Sequence, residues 1–207
     1  MARPPRYDVS RFLDAAVELA AASGPSAITM AAVAKAVGAP SGSVYHRFPA
    51  RAALLAEVWL RTVEDFQEGW FAALGSGDGD PRAAARGAPR AAARAAAVHV
   101  VAWSRAHPRE ASLLLYGSAD FARDDWPEPG LRRAEEGHRR VGEAVAELCA
   151  ALGAEAGPAA DRVTLAVIDT PLTIVRRHVR RGQELPAHAE ELAGESALLL
   201  LGEGPGV

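Results

Sequence analysis

Between residues 41 and 51 the sequence reads Ser-Gly-Ser-Val-Tyr-His-Arg-Phe-Pro-Ala-Arg, hydroxyls, an imidazole and cations spaced around two apolar residues. These types suit contact with a polyanion. Ser43, Tyr45 and His46 offer hydrogen-bonding groups to phosphates, while Val44 and Phe48 are apolar anchors for an inner side. Gly42 has no side chain, so the backbone there can come close to a duplex. Arg51 stands where a new helix begins, and its cation together with free backbone N–H groups can grip a phosphate. Other chemistry is poorly supported. Ser104, Ser112, Ser118 and Cys149 lack a Gly-x-Ser-x-Gly elbow or a nearby histidine that would mark a nucleophile. His99, His107, His138, His178 and His188 are scattered without metal-ligand spacing, and Asp124-Asp125 and Glu135-Glu136 read as solvated or helix-paired carboxylates. Cys149 is the only cysteine, which excludes internal disulfides and cysteine-based zinc clusters. No catalytic residue, metal or cofactor is expected.

The elements that must position these residues are helices. The 207 residues are 49% hydrophobic, rich in alanine and poor in β-branched types, which favours helix over strand and allows a real core. No stretch approaches the ~18–20 apolar residues that cross a bilayer, and the opening Met-Ala-Arg-Pro-Pro-Arg-Tyr-Asp holds no apolar secretory run, so a cytoplasmic protein is expected. Asp8 can cap a first helix carrying Phe12, Leu13, Ala16 and Val17, with Gly24 at a left-handed stop and Pro25 beyond it. Thr29 is placed to cap a short helix from Met30 to Val37, which Gly38 ends. After Pro49, a long amphipathic helix runs from about 51 to 74. The run Gly75-Ser-Gly-Asp-Gly-Asp-Pro81 reads as a linker, followed by a tandem Pro-Arg-Ala-Ala-Ala-Arg at 81 and 89. Further helices are expected over 89–106, 109–116, 131–152, 158–181 and 187–201. The helix over 131–152 should be laced by Glu135–Arg139 and Glu136–Arg140 pairs, and Pro171 should kink the penultimate helix and free a carbonyl. The total is nine helices and no strand.

Two short helices joined by a tight glycine-containing turn, over residues 29–48, form the helix-turn-helix pattern whose second helix enters the DNA major groove. The same pattern also occurs in purely structural bundles. The run Gly38-Ala-Pro-Ser-Gly-Ser-Val-Tyr-His-Arg-Phe-Pro-Ala-Arg-Ala-Ala-Leu-Leu55 resembles the signature of TetR-family transcriptional regulators. That signature is a glycine turn, a Gly-Ser/Thr-apolar-Tyr-x-x-Phe helix, a basic residue shortly after it and a leucine pair. Thr29, Ala34, Lys35, Ala16 and Gly24 also fit, and the resemblance spans roughly residues 8–60. It implies DNA contact through Thr29, Lys35, Ser41, Gly42, Ser43, Tyr45, His46, Arg47 and Arg51. It further implies an all-helical body that binds a small molecule and a homodimer formed by the last two helices. Two departures stand out: Arg51 replaces the family's usual lysine, and Ser41 occupies a position that is often basic.

Charge is unevenly spread. Residues 1–51 hold six cations against three carboxylates, a surplus of three that leaves the rest with a deficit of six within a net −3. A basic head on an acidic body directs any polyanion to the N-terminus. Arg3 and Arg6 beside Pro4 and Pro5 resemble a minor-groove arm, or equally a solvated tail. Arg82, Arg86, Arg90 and Arg94 read as a solvated face, and Arg176–Arg181 as helix-end electrostatics. In the body, His99, Trp103, Tyr116, Phe121, Trp126 and Asp169 are the candidates for a ligand pocket, against ordinary core packing for the aromatics. The expectation is therefore an all-α, nine-helix TetR-like chain. Its DNA-binding helix-turn-helix domain is expected at 1–51, and its ligand-binding and dimerisation domain at 52–207. The alternative is a helical sensor or carrier that does not bind DNA.

Overall fold

The computed structural model describes residues 8–75 and 88–202. The linker and first repeat over 76–87, and the Arg3/Arg6 arm, lie outside them. Every regular element among the described residues is helical. Apart from short 3-10 helices at Pro25–Ala27, Ser118–Phe121 and Arg123–Asp125, in chain order these are α1 (Val9–Ser23), α2 (Met30–Val37), α3 (Ser41–Arg47), α4 (Arg51–Ala73) and α5 (Pro89–Ala106). Then follow α6 (Pro108–Leu114), α7 (Glu128–Ala151), α8 (Gly157–Thr164), a π-helical segment (Leu165–Asp169), α9 (Thr170–Val179) and α10 (Ala189–Leu200). Because α8, the π segment and α9 run on without a break, the described residues form nine helical rods, as the apolar spacing predicts.

Two compact units divide the chain. The first comprises residues 1–63 and 112–135, the second 64–111 and 136–207, so α4, α6 and α7 each contribute to both. In the first unit, Phe12, Ala16 and Val17 of α1 pack with Val33 of α2, Val44 of α3 and Leu54, Leu55 and Val58 of α4. Leu113, Phe121 and Trp126 complete that core, with the Trp126 indole donating to the Phe121 carbonyl at 2.8 Å. A long intervening segment thus supplies large aromatics to the N-terminal unit. Arg61–Asp14 at 2.8 Å and Arg133–Glu57 at 2.8 Å pin its surface.

In the second unit α5 and α10 pack closely. A Cβ on Gly194 would meet Arg94 and Val98 at 3.0–3.2 Å, so the small residue sets the approach. Arg105 donates to Glu190 at 2.8 Å and to the Leu185 and Pro186 carbonyls at 2.6 and 3.0 Å, fixing the turn that leads into α10. Proline at 171 cannot donate to the carbonyl four residues back. The helix answers with the π segment before it, and the Val167 carbonyl instead accepts from the Trp70 indole at 3.4 Å. The freed carbonyl expected from the sequence is therefore real, and a tryptophan of the same unit takes it.

Local expectations differ in three places. Gly24 has φ 80° but ψ 169°, a glycine-only extended turn rather than the left-handed helical one. Asp8 sits at the cap of α1, yet its carboxylate accepts from Ser10 rather than from a backbone N–H. On α7, Arg139 pairs with Glu136 and Glu143, Arg123 reaches Glu135 at 3.9 Å, and Arg140 lies 4.6 Å over the Phe71 ring. Pairs at several spacings were open to those side chains, and tertiary neighbours select among them. The Arg139 guanidinium between two carboxylates is held above its ordinary pKa, and Glu136 is held below its own by the Arg139 hydrogen bond.

Candidate nucleic-acid interface

Helices α2 and α3 are joined by Gly38, Ala39 and Pro40. The Thr29 hydroxyl accepts from the Ala32 N–H at 3.1 Å, so Thr29 caps α2. Gly38 adopts φ 67°, ψ 31°, and its N–H bonds the carbonyls that end the helix. This left-handed glycine aims the chain into α3, which starts directly after Pro40 and closes with the Phe48 N–H on the Val44 carbonyl at 2.8 Å.

Helix α3 is held by its inner side alone. Val44 is fully buried and Phe48 is nearly so, both within the core of the first unit. The rest of the helix faces out: Ser41, Gly42, His46 and Arg47 are exposed, Ser43 is partly so, and Tyr45 is 56% exposed. A Cβ built on Gly42 meets nothing within 4 Å. Glycine in a helix costs roughly 0.5–1 kcal/mol relative to alanine, and here no internal packing requires it. Lys35 is exposed near the end of α2, and Thr29 is exposed apart from its capping bond.

Arg51 is placed differently from its neighbours. Its Nε donates to the Ile28 carbonyl at 2.6 Å and one Nη donates to the Pro25 carbonyl at 3.1 Å. These bonds tie the start of α4 to the turn before α2, a role the sequence did not disclose, because it depends on a contact across 23 residues.

The ligand candidates do not converge. Tyr116, Phe121 and Trp126 belong to the first unit, while His99, Trp103 and Asp169 belong to the second. Phe121 and Trp126 are core, Tyr116 is exposed with its hydroxyl near Gly24, and Asp169 is exposed on the π segment. His99 and Trp103 form a group with Phe66 and His107, which sequence reading did not include. Trp103 donates to Asp65 at 2.9 Å, Phe66 meets it edge-on at 5.3 Å, and His107 lies 4.8 Å away. A His99 ring nitrogen lies 3.1 Å from the Phe66 carbonyl. Burial pushes the His99 pKa below its ordinary 6.5, with the Phe66 carbonyl and Asp65 opposing the shift and His107 adding to it.

An outward helix anchored on one apolar side, set by a glycine turn against a capped partner helix, is a helix-turn-helix arrangement. Residues 12–58 match the family described as bacterial regulatory proteins, tetR family. No curated protein sequence matches the chain. Among solved structures, a transcriptional regulator from Rhodococcus sp. Rha1 superposes with a TM-score of 0.62 at 21% identity, covering 94% of each chain. PfmR, a TetR family transcriptional regulator from Thermus thermophilus, gives a TM-score of 0.62 at 18% identity over 98% of this chain and 100% of its own. The family match covers the N-terminal segment, residues 12–58, and the helical fold of the chain is that of these two structures.

Proposed function

We propose that the chain is a homodimeric repressor that holds a palindromic operator in the cytoplasm and releases it when a small molecule enters the helical body. In this reading residues 1–51 form the DNA-binding head and residues 52–207 the ligand-binding and dimerisation body. The observation that carries it is the outer face of α3, where an unpacked Gly42 stands beside exposed Ser41, Tyr45, His46 and Arg47 while Val44 alone is buried. Ser41 and Ser43 contribute to base-edge or shape readout, Tyr45, His46 and Arg47 to phosphate contact, and Thr29 and Lys35 to the flank. Arg51 offers a phosphate only the donors its two carbonyls leave. Two such helices would read half-sites about one helical turn, ~34–36 Å, apart or somewhat more.

Exposed apolar residues support the dimer. Leu192 and Leu199 lie seven apart on α10, and Leu199 is 79% exposed, an arrangement that a second copy's last helices would cover. For the ligand, His99 and Trp103 are the best-supported contacts, because Phe66 and His107 complete a partly buried aromatic surface with polar points there. Release then follows if the ligand favours a dimer whose heads are wrongly spaced.

Fluorescence anisotropy with the intergenic DNA beside its own gene tests the reading. Two chains per duplex and tighter binding than to a scrambled duplex are expected. Absence of any DNA binding at low salt would instead favour a sensor or carrier without DNA.

A further inference from the structure

We propose that a cavity in the second unit, where the ends of α5, α7, α8 and α10 meet, binds an apolar small molecule carrying one anionic group. The cavity has a volume of about 790 Å³, within the ~300–1,000 Å³ of small-molecule sites. Leu152, Val163, Leu200 and Leu201 give it apolar walls, and the charged groups among its described lining residues are Arg90 and Arg162, with no carboxylate. It does not include His99 or Trp103, so it is separate from their aromatic group.

The helix ends around it are unequally compensated. The C-terminal ends are covered from within. Arg90 donates to the Leu198 and Leu201 carbonyls of α10 at 3.2 and 3.3 Å, and the turn after α7 folds the Ala154 N–H onto the Cys149 carbonyl at 2.8 Å. The first turns of α5 and α8 also line the cavity, through Pro89–Ala91 and Ala159, and bring positive dipole ends to it. Arg162 is exposed and holds no ion pair among the described residues, unlike Arg61, Arg105, Arg133 and Arg139, which each pair with carboxylates. Positive potential beside apolar walls suits a ligand with an apolar body and a carboxylate or sulfonate head. The carbonyl bonds of Arg90 hold its cation at the wall, and Arg162 is free to close on the anion.

The test compares two fluorescent probes on the full chain without DNA, anilinonaphthalene sulfonate and its neutral counterpart N-phenylnaphthylamine. The expected result is one sulfonate site per chain, with the neutral dye bound at least tenfold more weakly. Arg162→Gln lowers sulfonate affinity at least tenfold and leaves the neutral dye unchanged. Ala159→Trp, which fills the groove from an exposed position, abolishes both. Equal affinity for the two dyes, or sulfonate binding unaltered by Arg162→Gln, overturns the proposal. Arg162 is exposed, so its variant decides the matter even if Ala159→Trp does not fold. The site does not depend on the repressor reading. A chain that bound the sulfonate in this way yet held no DNA would contradict that reading and bear out the site.

Discussion

Gly42→Ala should make the chain more stable and a poorer DNA binder at once. The added methyl projects into open space, with nothing within 4 Å, so no packing cost arises. Alanine in a helix is favoured over glycine by roughly 0.5–1 kcal/mol. For a chain of this length 1 kcal/mol shifts Tm by about 2–4 °C, so the variant should melt about 1–4 °C higher by circular dichroism. The same methyl stands on the outward face of α3, between exposed Ser41 and partly exposed Ser43. If the backbone there approaches a duplex, the methyl should cost about tenfold in affinity, ~1.4 kcal/mol, by anisotropy on the intergenic duplex. The two signs must be opposite. A variant that is more stable and binds DNA as well as the parent would show that α3 does not approach DNA at residue 42. A destabilised variant would show that the space beside Gly42 is not open.

Other perturbations separate structural from functional roles. Arg51→Lys keeps the charge but loses the fork that bonds the Ile28 and Pro25 carbonyls, so urea denaturation should show a loss of about 1–3 kcal/mol. Unaltered stability with weakened DNA binding would make Arg51 a phosphate ligand only. Gly69→Ala places a Cβ 2.3 Å from the His99 ring, so it should destabilise the chain by about 1–3 kcal/mol despite alanine's better helix propensity. An unchanged melting curve would mean that the ring moves aside freely. Because burial lowers the His99 pKa, the folded chain binds that proton less readily than the unfolded chain. Its contribution to stability should be complete above about pH 6.5 and fade as pH falls through the lowered value, and His99→Gln should remove that part of the slope between pH 7.5 and 5. A variant with the parent's slope would assign the pH dependence to other groups.

Much of the N-terminal unit was legible because its signals are local. The Thr29 cap, the left-handed Gly38 and the inward pair Val44 and Phe48 each follow from residue type and from neighbours within a few positions. The outward face of α3 follows in turn, since the hydroxyls and cations fall where the apolar anchors do not. What stayed hidden depends on distant parts of the chain meeting. The Arg51 clamp needs the turn at 25–28 to return beside α4, and the pairing of Trp70 with the Val167 carbonyl spans 97 residues. The ligand candidates were chosen by type along the chain, so nothing in their spacing showed that Phe121 and Trp126 would join a different unit from His99 and Trp103. Proline at 171 announced a disturbance, but not that a π segment would absorb it.

The salt dependence of binding to the intergenic duplex tests the central claim most directly, measured for the parent chain and for Arg47→Ala. Each phosphate neutralised contributes roughly −0.9 to the slope of log affinity against log salt. With one such contact per protomer of a dimer, Arg47→Ala should flatten the slope by about 2 units. A parent chain whose binding does not respond to salt, or an Arg47→Ala slope equal to the parent's, would contradict the placing of α3 against DNA.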